Sequence, residues 1–295
     1  MTFSINLLSD LQQMLSYQFM QHAFEAGTIV AIIAGATGYF VVLRRSAFTA
    51  HAFSEIGFAG AAGAVLLNVA PIVGLLGGSI LAGLGIALLG RRATDRDTQI
   101  GIILAFALGL GLLFISLYPS YSTQAYSILF GEILGISYDL VRLTLVAGVV
   151  VLVGMGIVYR PLLFESLDED VAEAKGMPII FLGTFFMLLV AVAVSFAIQV
   201  TGVLLIFSLM VTPAATAQYL SRRPQQAIVI SVVIALLATW IGLFVAFFTP
   251  YPVSFFITAF AFSLYLFVRF VYQRIKPGRI SRADLQRTGF FKAPA

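Results

Sequence analysis

Long apolar runs alternate with short polar clusters along the whole chain. Runs lie at 23–43, 44–69, 72–89, 100–117, 140–159, 179–198, 203–220, 227–248 and 253–272. Each is close to the roughly 20 residues that an α-helix needs to cross the hydrocarbon core of a bilayer. The pattern predicts an all-α polytopic membrane protein with about nine transmembrane helices. A tenth apolar run, 125–136, is too short to span and is interrupted by Gly131, Glu132 and Gly135. It reads as a re-entrant segment or a short outer helix packed on the bundle, since broken backbone at membrane depth survives only against protein. Residues 1–21 read as an amphipathic lead on the outer surface. They do not resemble a secretory signal, because they lack a basic start and Asp10 breaks the apolar pattern. No soluble domain boundary emerges, so residues 1–295 form one membrane domain.

Composition agrees with this pattern. The chain is 60% hydrophobic and only 10% charged, against roughly 25% charged in soluble domains; its mean hydropathy is +1.03. If the Arg44–Arg45 end of the first run is cytoplasmic, sixteen of the seventeen Lys and Arg residues fall on that side, and only Arg142 does not. That is the positive-inside signature of a membrane protein, and it sets aside nucleic acid as the partner of this basicity. The tail 273–295 reads as a basic cytoplasmic anchor to the bilayer surface. Cysteine is absent and histidine occurs only at positions 22 and 51, so any metal must be held by nitrogen and oxygen ligands.

The densest candidate chemistry lies in RRSAFTAHAFSEIGFAGAAGA, residues 44–64. His51 and Glu55 are four residues apart, on one helix face, with about 6 Å of rise between them. The stretch after them is almost all glycine and alanine, which lets helices approach closely in a membrane. An ionisable pair inside such a helix points to function by default, and these two side chains are metal-ligand types. A local hydrogen bond between them is the plainer alternative. Glu132 and His22 are weaker candidates, for a pathway or for the outer rim. Residues 160–177 form the longest polar loop before the tail. There Asp168, Glu169 and Asp170 open a short helical pattern with Lys175 near its end, an order that suits the helix dipole. Gly176 marks its C-cap and Pro178 follows. This reads as a cytoplasmic loop helix, either merely solvated or a docking element.

Some chemistry is missing. There is no G-x-x-x-x-G-K-[ST] phosphate loop, no H-E-x-x-H and no G-x-S-x-G elbow. The chain reads as a conduit driven from elsewhere rather than as an enzyme.

Several segments in register resemble one family. FMQHAFEAG followed by GYFVVLRR, AFSEIGFAGAAGA, RDTQIGIILA, ILFGEILGIS, SLDEDVAEAKGM and TGVLLIFSLMVTPAATAQYL are similar to segments of the membrane permeases of bacterial zinc/manganese/iron ABC importers. The resemblance covers roughly residues 19–272. It implies a homodimer in the cytoplasmic membrane, two copies of a separate ABC ATPase, and an extracytoplasmic metal-binding protein. Asp168, Glu169, Asp170, Ala172, Lys175 and Gly176 would then form the coupling helix that seats in the ATPase. The cargo would be a divalent ion of zinc, manganese or iron, with no permanently bound cofactor. The family carries an aspartate and, four residues later, a histidine in its second span; here His51 and Glu55 hold those positions in reverse order. Its Pro-Ser-Gly near the last span is Pro252-Val253-Ser254 here.

The leading expectation is therefore an ATP-driven metal importer subunit. The alternatives are an ABC permease for a metal chelate and a proton-coupled secondary cation transporter; an intramembrane enzyme is weakest. One chain offers two ligands where zinc usually takes four. Two copies of the 44–69 helix meeting at a two-fold axis would supply two imidazoles and two carboxylates.

Overall fold

The computed structural model describes residues 12–88, 93–117, 131 and 133–275, with side chains except at 87–88, 93–97 and 273–275. All regular structure among them is helical. In chain order the helices are α1 (Gln18–Leu43), α2 (Ala47–Leu66), α3 (Pro71–Leu88), α4 (Ala93–Ser116), α5 (Tyr138–Leu167), α6 (Glu169–Ala174), α7 (Ile179–Thr201), α8 (Val203–Leu220), α9 (Pro224–Phe248) and α10 (Val253–Ile275). Seven are long and apolar enough to cross a membrane: α1, α5, α7, α8, α9, Thr98–Ser116 within α4 and Val253–Tyr272 within α10. The other two long helices differ from these for separate reasons. In α2, His51 and Glu55 interrupt a run of adequate length, and in α3 the apolar stretch Pro71–Ile86 is shorter.

Several helices outrun their apolar cores. α1 starts at Gln18 rather than at 23, because its polar first turn finds partners. The Gln21 amide donates to the Leu15 carbonyl at 2.7 Å, and His22 Nδ1 donates to the Ile136 carbonyl at 3.2 Å. Just before it Met14 is fully buried, whereas Gln12, Gln13, Leu15 and Ser16 are exposed. α4 takes up polar residues expected in a loop. α5 runs on through Pro161 to Leu167, so the expected polar loop at 160–177 begins as helix. Proline removes one ladder hydrogen bond and still sits in the helix, and the acid that follows, Glu165, is neutralised by Arg44 at 2.9 Å. Of the 121–139 segment, only residue 131 and those from 133 onward are described. Gly131 (φ 76°) abuts the backbone of Thr201 and Gly202, and Ile133 and Ile136 are buried.

α1 is the hub. Gly35 brings it onto the α9 backbone at Ser231–Val232, and Gly38 brings it against the Met210 carbonyl of α8. The Ser231 hydroxyl donates to the Gly35 carbonyl at 2.8 Å. α2 and α3 form a second tight pair, tied by Ser79 Oγ donating to the Phe53 carbonyl at 3.1 Å. α3 meets α7 at Ser195, whose hydroxyl donates to the Ala191 carbonyl of its own helix at 2.8 Å and lies 3.3 Å from the Leu75 carbonyl of α3. Small residues and hydroxyls do this work because lipid is as apolar as leucine, so close packing and interhelical hydrogen bonds must replace the hydrophobic drive. In α8, Pro213 removes the helical donor to the Leu209 carbonyl; one turn on, the Thr216 hydroxyl donates to the Thr212 carbonyl at 2.8 Å.

Candidate metal pathway and coupling segment

The chain reverses sharply between α1 and α2. Arg45 takes a left-handed conformation (φ 55°), and the backbone N–H and hydroxyl of Ser46 both donate to the Val41 carbonyl, at 2.9 and 3.1 Å. This fixed corner sets where α2 starts. One face of α2 is then buried through Thr49, Ala52, Phe53, Gly57 and Ala61. Gly60 and Gly74 meet backbone to backbone, so a Cβ on either would fall on the other's carbonyl oxygen.

His51 and Glu55 share the side of α2 that is only half-buried, together with exposed Phe48. The imidazole lies against Phe207 of α8, ring centroids 5.1 Å apart at 61°. Its Nδ1 is buried and has no hydrogen-bond partner among the described residues. The Ser54 hydroxyl donates to the His51 carbonyl at 2.6 Å, so it is not a partner of the ring. Glu55 interacts electrostatically with His51. A buried polar atom without a partner is uncommon and calls for an explanation. An imidazole nitrogen and a carboxylate on a half-open face form a nitrogen/oxygen donor pair. Among the described residues, no third His, Asp or Glu of the same chain joins them.

The 168–176 segment is well built. Asp168 caps α6, its carboxylate accepting from the Val171 N–H at 3.1 Å, with Glu169 and Asp170 in the first turn. The helix closes in a double-bonded C-cap: Met177 N–H to the Ala172 carbonyl (3.1 Å) and Gly176 N–H to the Glu173 carbonyl (2.9 Å), with Gly176 at φ 73°. Lys175 Nζ lies 4.8 Å from the ring centre of Phe164. Asp168, Glu169, Asp170, Lys175 and Gly176 are exposed, whereas Ala172 is fully buried. It holds α6 against its neighbours and is not part of the exposed surface, so a bulky residue there would dislodge the helix itself. Beside α6 an open groove of about 590 Å³ is lined by Glu173, Met177, Pro178, Ile179, Ile180, Phe181 and Thr184.

His22 is half-buried near Tyr138, ring centroids 5.8 Å apart, and is not brought near His51. Glu132 lies outside the described residues. The sequence reading missed the pair between Arg44 and Glu165. These residues are 121 positions apart, and no local pattern links them.

The model of the ABC 3 transport family matches residues 16–272. The chain belongs to the ABC 3 transport family. Among curated relatives, the manganese transport system membrane protein MntC of Listeria monocytogenes is 31% identical over 235 residues, 79% of this chain and 84% of that protein. The high-affinity zinc uptake system membrane protein ZnuB of Buchnera aphidicola is 28% identical over 253 residues, 85% and 97% of the two chains. Among solved structures, a chain of PsaBC from Streptococcus pneumoniae, in complex with Fab, superposes with a TM-score of 0.82 at 29% identity. The match covers 92% of this chain and all of that one. For an ABC 3 family member, the half-open donor pair on α2 and the capped α6 are two separate features on one helical frame.

Proposed function

We propose that this chain is the permease subunit of a bacterial cytoplasmic-membrane ABC importer for a divalent transition metal ion. ATP hydrolysis resides on a separate cytoplasmic subunit, and an extracytoplasmic protein delivers the ion. The observation that carries this reading is the His51–Glu55 pair, with its unpartnered imidazole nitrogen, on the half-open side of α2. Family membership removes the proton-coupled alternative. Imidazole and carboxylate accept zinc, manganese and iron alike, and relatives named for manganese and for zinc both match. The cargo is therefore stated as this class of ion. In proteoliposomes holding the permease with its cognate ATPase and binding protein, radioactive manganese or zinc is expected to accumulate only with ATP. Equal accumulation without the ATPase would overturn the reading.

In this reading α2 and α3 also cross the bilayer, giving nine crossings, and a homodimer brings two α2 helices to a shared ion path. The arginine-bearing ends at Arg44, Arg160 and Arg222–Arg223 face the cytoplasm. Topology is testable because the chain has no cysteine. Ser221 is half-buried, its hydroxyl 3.1 Å from Gln226 Oε1, whereas Gln225 and Tyr251 are exposed. On intact cells an impermeant thiol reagent should label Tyr251→Cys and spare Gln225→Cys; the reverse pattern would invert the topology.

The exposed acids of α6 supply the ATPase contact. Glu169→Lys reverses a charge in the first turn of α6 and should cost at most about 1–2 kcal/mol of stability through the helix dipole. It should lower ATP-driven uptake at least ~5-fold, the lower end of ordinary coupling. Wild-type uptake together with wild-type ATPase binding in this variant would reduce α6 to a spacer.

A further inference from the structure

We infer that Arg44 and Glu165 are positioning residues that link the coupling segment to the helix carrying His51 and Glu55. The inference rests on the transport reading above. Arg44 Nη2 lies 2.9 Å from Glu165 Oε1, with side-chain exposures of 15% and 3%. Its Nη1 is 3.5 Å from the Ser166 hydroxyl, and its guanidinium carbon stands 5.4 Å from the ring centre of Phe186. One side chain at the C-cap of α1 thus touches the last turn of α5 on one side and α7 on the other. These are the two helices that flank α6. Asp168 alone joins α5 to α6, serving as C-cap of one and N-cap of the other. Lys175 folds back over Phe164 of α5, and Ala172 is buried. A push on α6 therefore reaches residues 161–167 and the start of α7 together.

Two features make this stretch able to move as a unit. Pro161 deprives the Ile157 carbonyl of its helical donor, which weakens the ladder just before the stretch. Arg44, in contrast, is followed by a stiff corner: left-handed Arg45, and Ser46 twice bonded to Val41. His51 is seven residues beyond Arg44. Displacement of Glu165 is thereby passed to the start of α2 instead of being absorbed in a loop.

The pair is poorly explained by stability alone. Well-packed apolar residues often replace a buried ion pair at no loss of stability, whereas removing one partner strands a buried charge. Glu165 Oε2 is also buried without a partner among the described residues, where Arg44 holds the carboxylate by one oxygen. A contact so held can release and re-form as the segment shifts.

The test uses the complete transporter, with ATPase and binding protein, in proteoliposomes, supplied with radioactive manganese, zinc and iron in turn, and reads ions moved per ATP hydrolysed. Arg44→Met and Glu165→Met singly leave a stranded charge and should lower assembly. The double variant Arg44→Met, Glu165→Met removes both charges with little change in volume and should assemble with the ATPase as wild type does. Its ions moved per ATP should nevertheless fall by roughly 5- to 100-fold, the span of ordinary coupling free energies, and its hydrolysis should no longer respond to loaded binding protein. A double variant that couples like wild type would overturn the inference. So would one that fails to assemble, since the pair would then be a structural requirement. Wild-type vesicles without ATP-dependent uptake would instead overturn the transport reading.

Discussion

Uptake of radioactive manganese or zinc should fall to background in His51→Ala, in Glu55→Ala and in the double variant, while dimer assembly and ATPase association persist. Loss of an outer-shell partner already costs a metal site about 10- to 100-fold. Removal of a direct ligand should exceed about 100-fold on that scale. Neither side chain fills the core: both are half-buried, and His51 Nδ1 has no partner among the described residues. Truncation therefore empties a donor position without opening a large cavity. One chain brings two donors together and zinc takes four; in the proposed homodimer, two α2 helices at a two-fold axis would complete the set. Glu55→Asp should be milder but not silent, because the oxygen retreats by one methylene. Only neutral imidazole binds metal and carboxylates must be ionised. Wild-type uptake should accordingly weaken as the medium is acidified. Full uptake by the double alanine variant would route the ion elsewhere.

Gly60→Ala should cost more than any other single-methyl insertion along α2. Its new Cβ would fall on the Gly74 carbonyl oxygen, with the Gly78 Cα 3.2 Å away. These are backbone atoms of a helix and cannot rotate aside, so α2 and α3 must separate. Overpacking of this kind costs about 1–3 kcal/mol, and the separation carries His51 off its position against Phe207 of α8. Gly77 is the control, because nothing lies within 4 Å of a Cβ there. Gly77→Ala should be neutral or stabilising by up to ~1 kcal/mol through helix propensity. Thermal unfolding in detergent and uptake in vesicles separate the two. Equal melting and equal uptake would show that the Gly60–Gly74 contact does not seat the helix that carries His51 and Glu55.

Much of the fold was legible in the chain. Apolar runs of about 20 residues announce helices whether or not a membrane is drawn around them. Helix α8 at 203–220 begins and ends where its run does. The ends of α1, α4 and α5 were not legible. Gln21, His22 and Glu165 are polar, and they are helical because Leu15, Ile136 and Arg44 wait for them in space. The candidate site divides in the same way. His51 and Glu55 stand out because they interrupt an apolar run at helical spacing, and Asp168 and Gly176 stand out because capping is a local rule.

Sequence alone determined helical class, span-length segments and the identity of the ionisable residues within them, because each follows from neighbours three or four positions apart. Tertiary structure decided that Ala172 is buried, that Gly60 faces Gly74, that His51 Nδ1 lacks a partner, and that Arg44 reaches Glu165. Each of these depends on which helix lies opposite. In a bundle of uniformly apolar helices, that choice is made by close fit of small residues and by a few buried polar contacts, neither of which leaves a periodic trace along the chain.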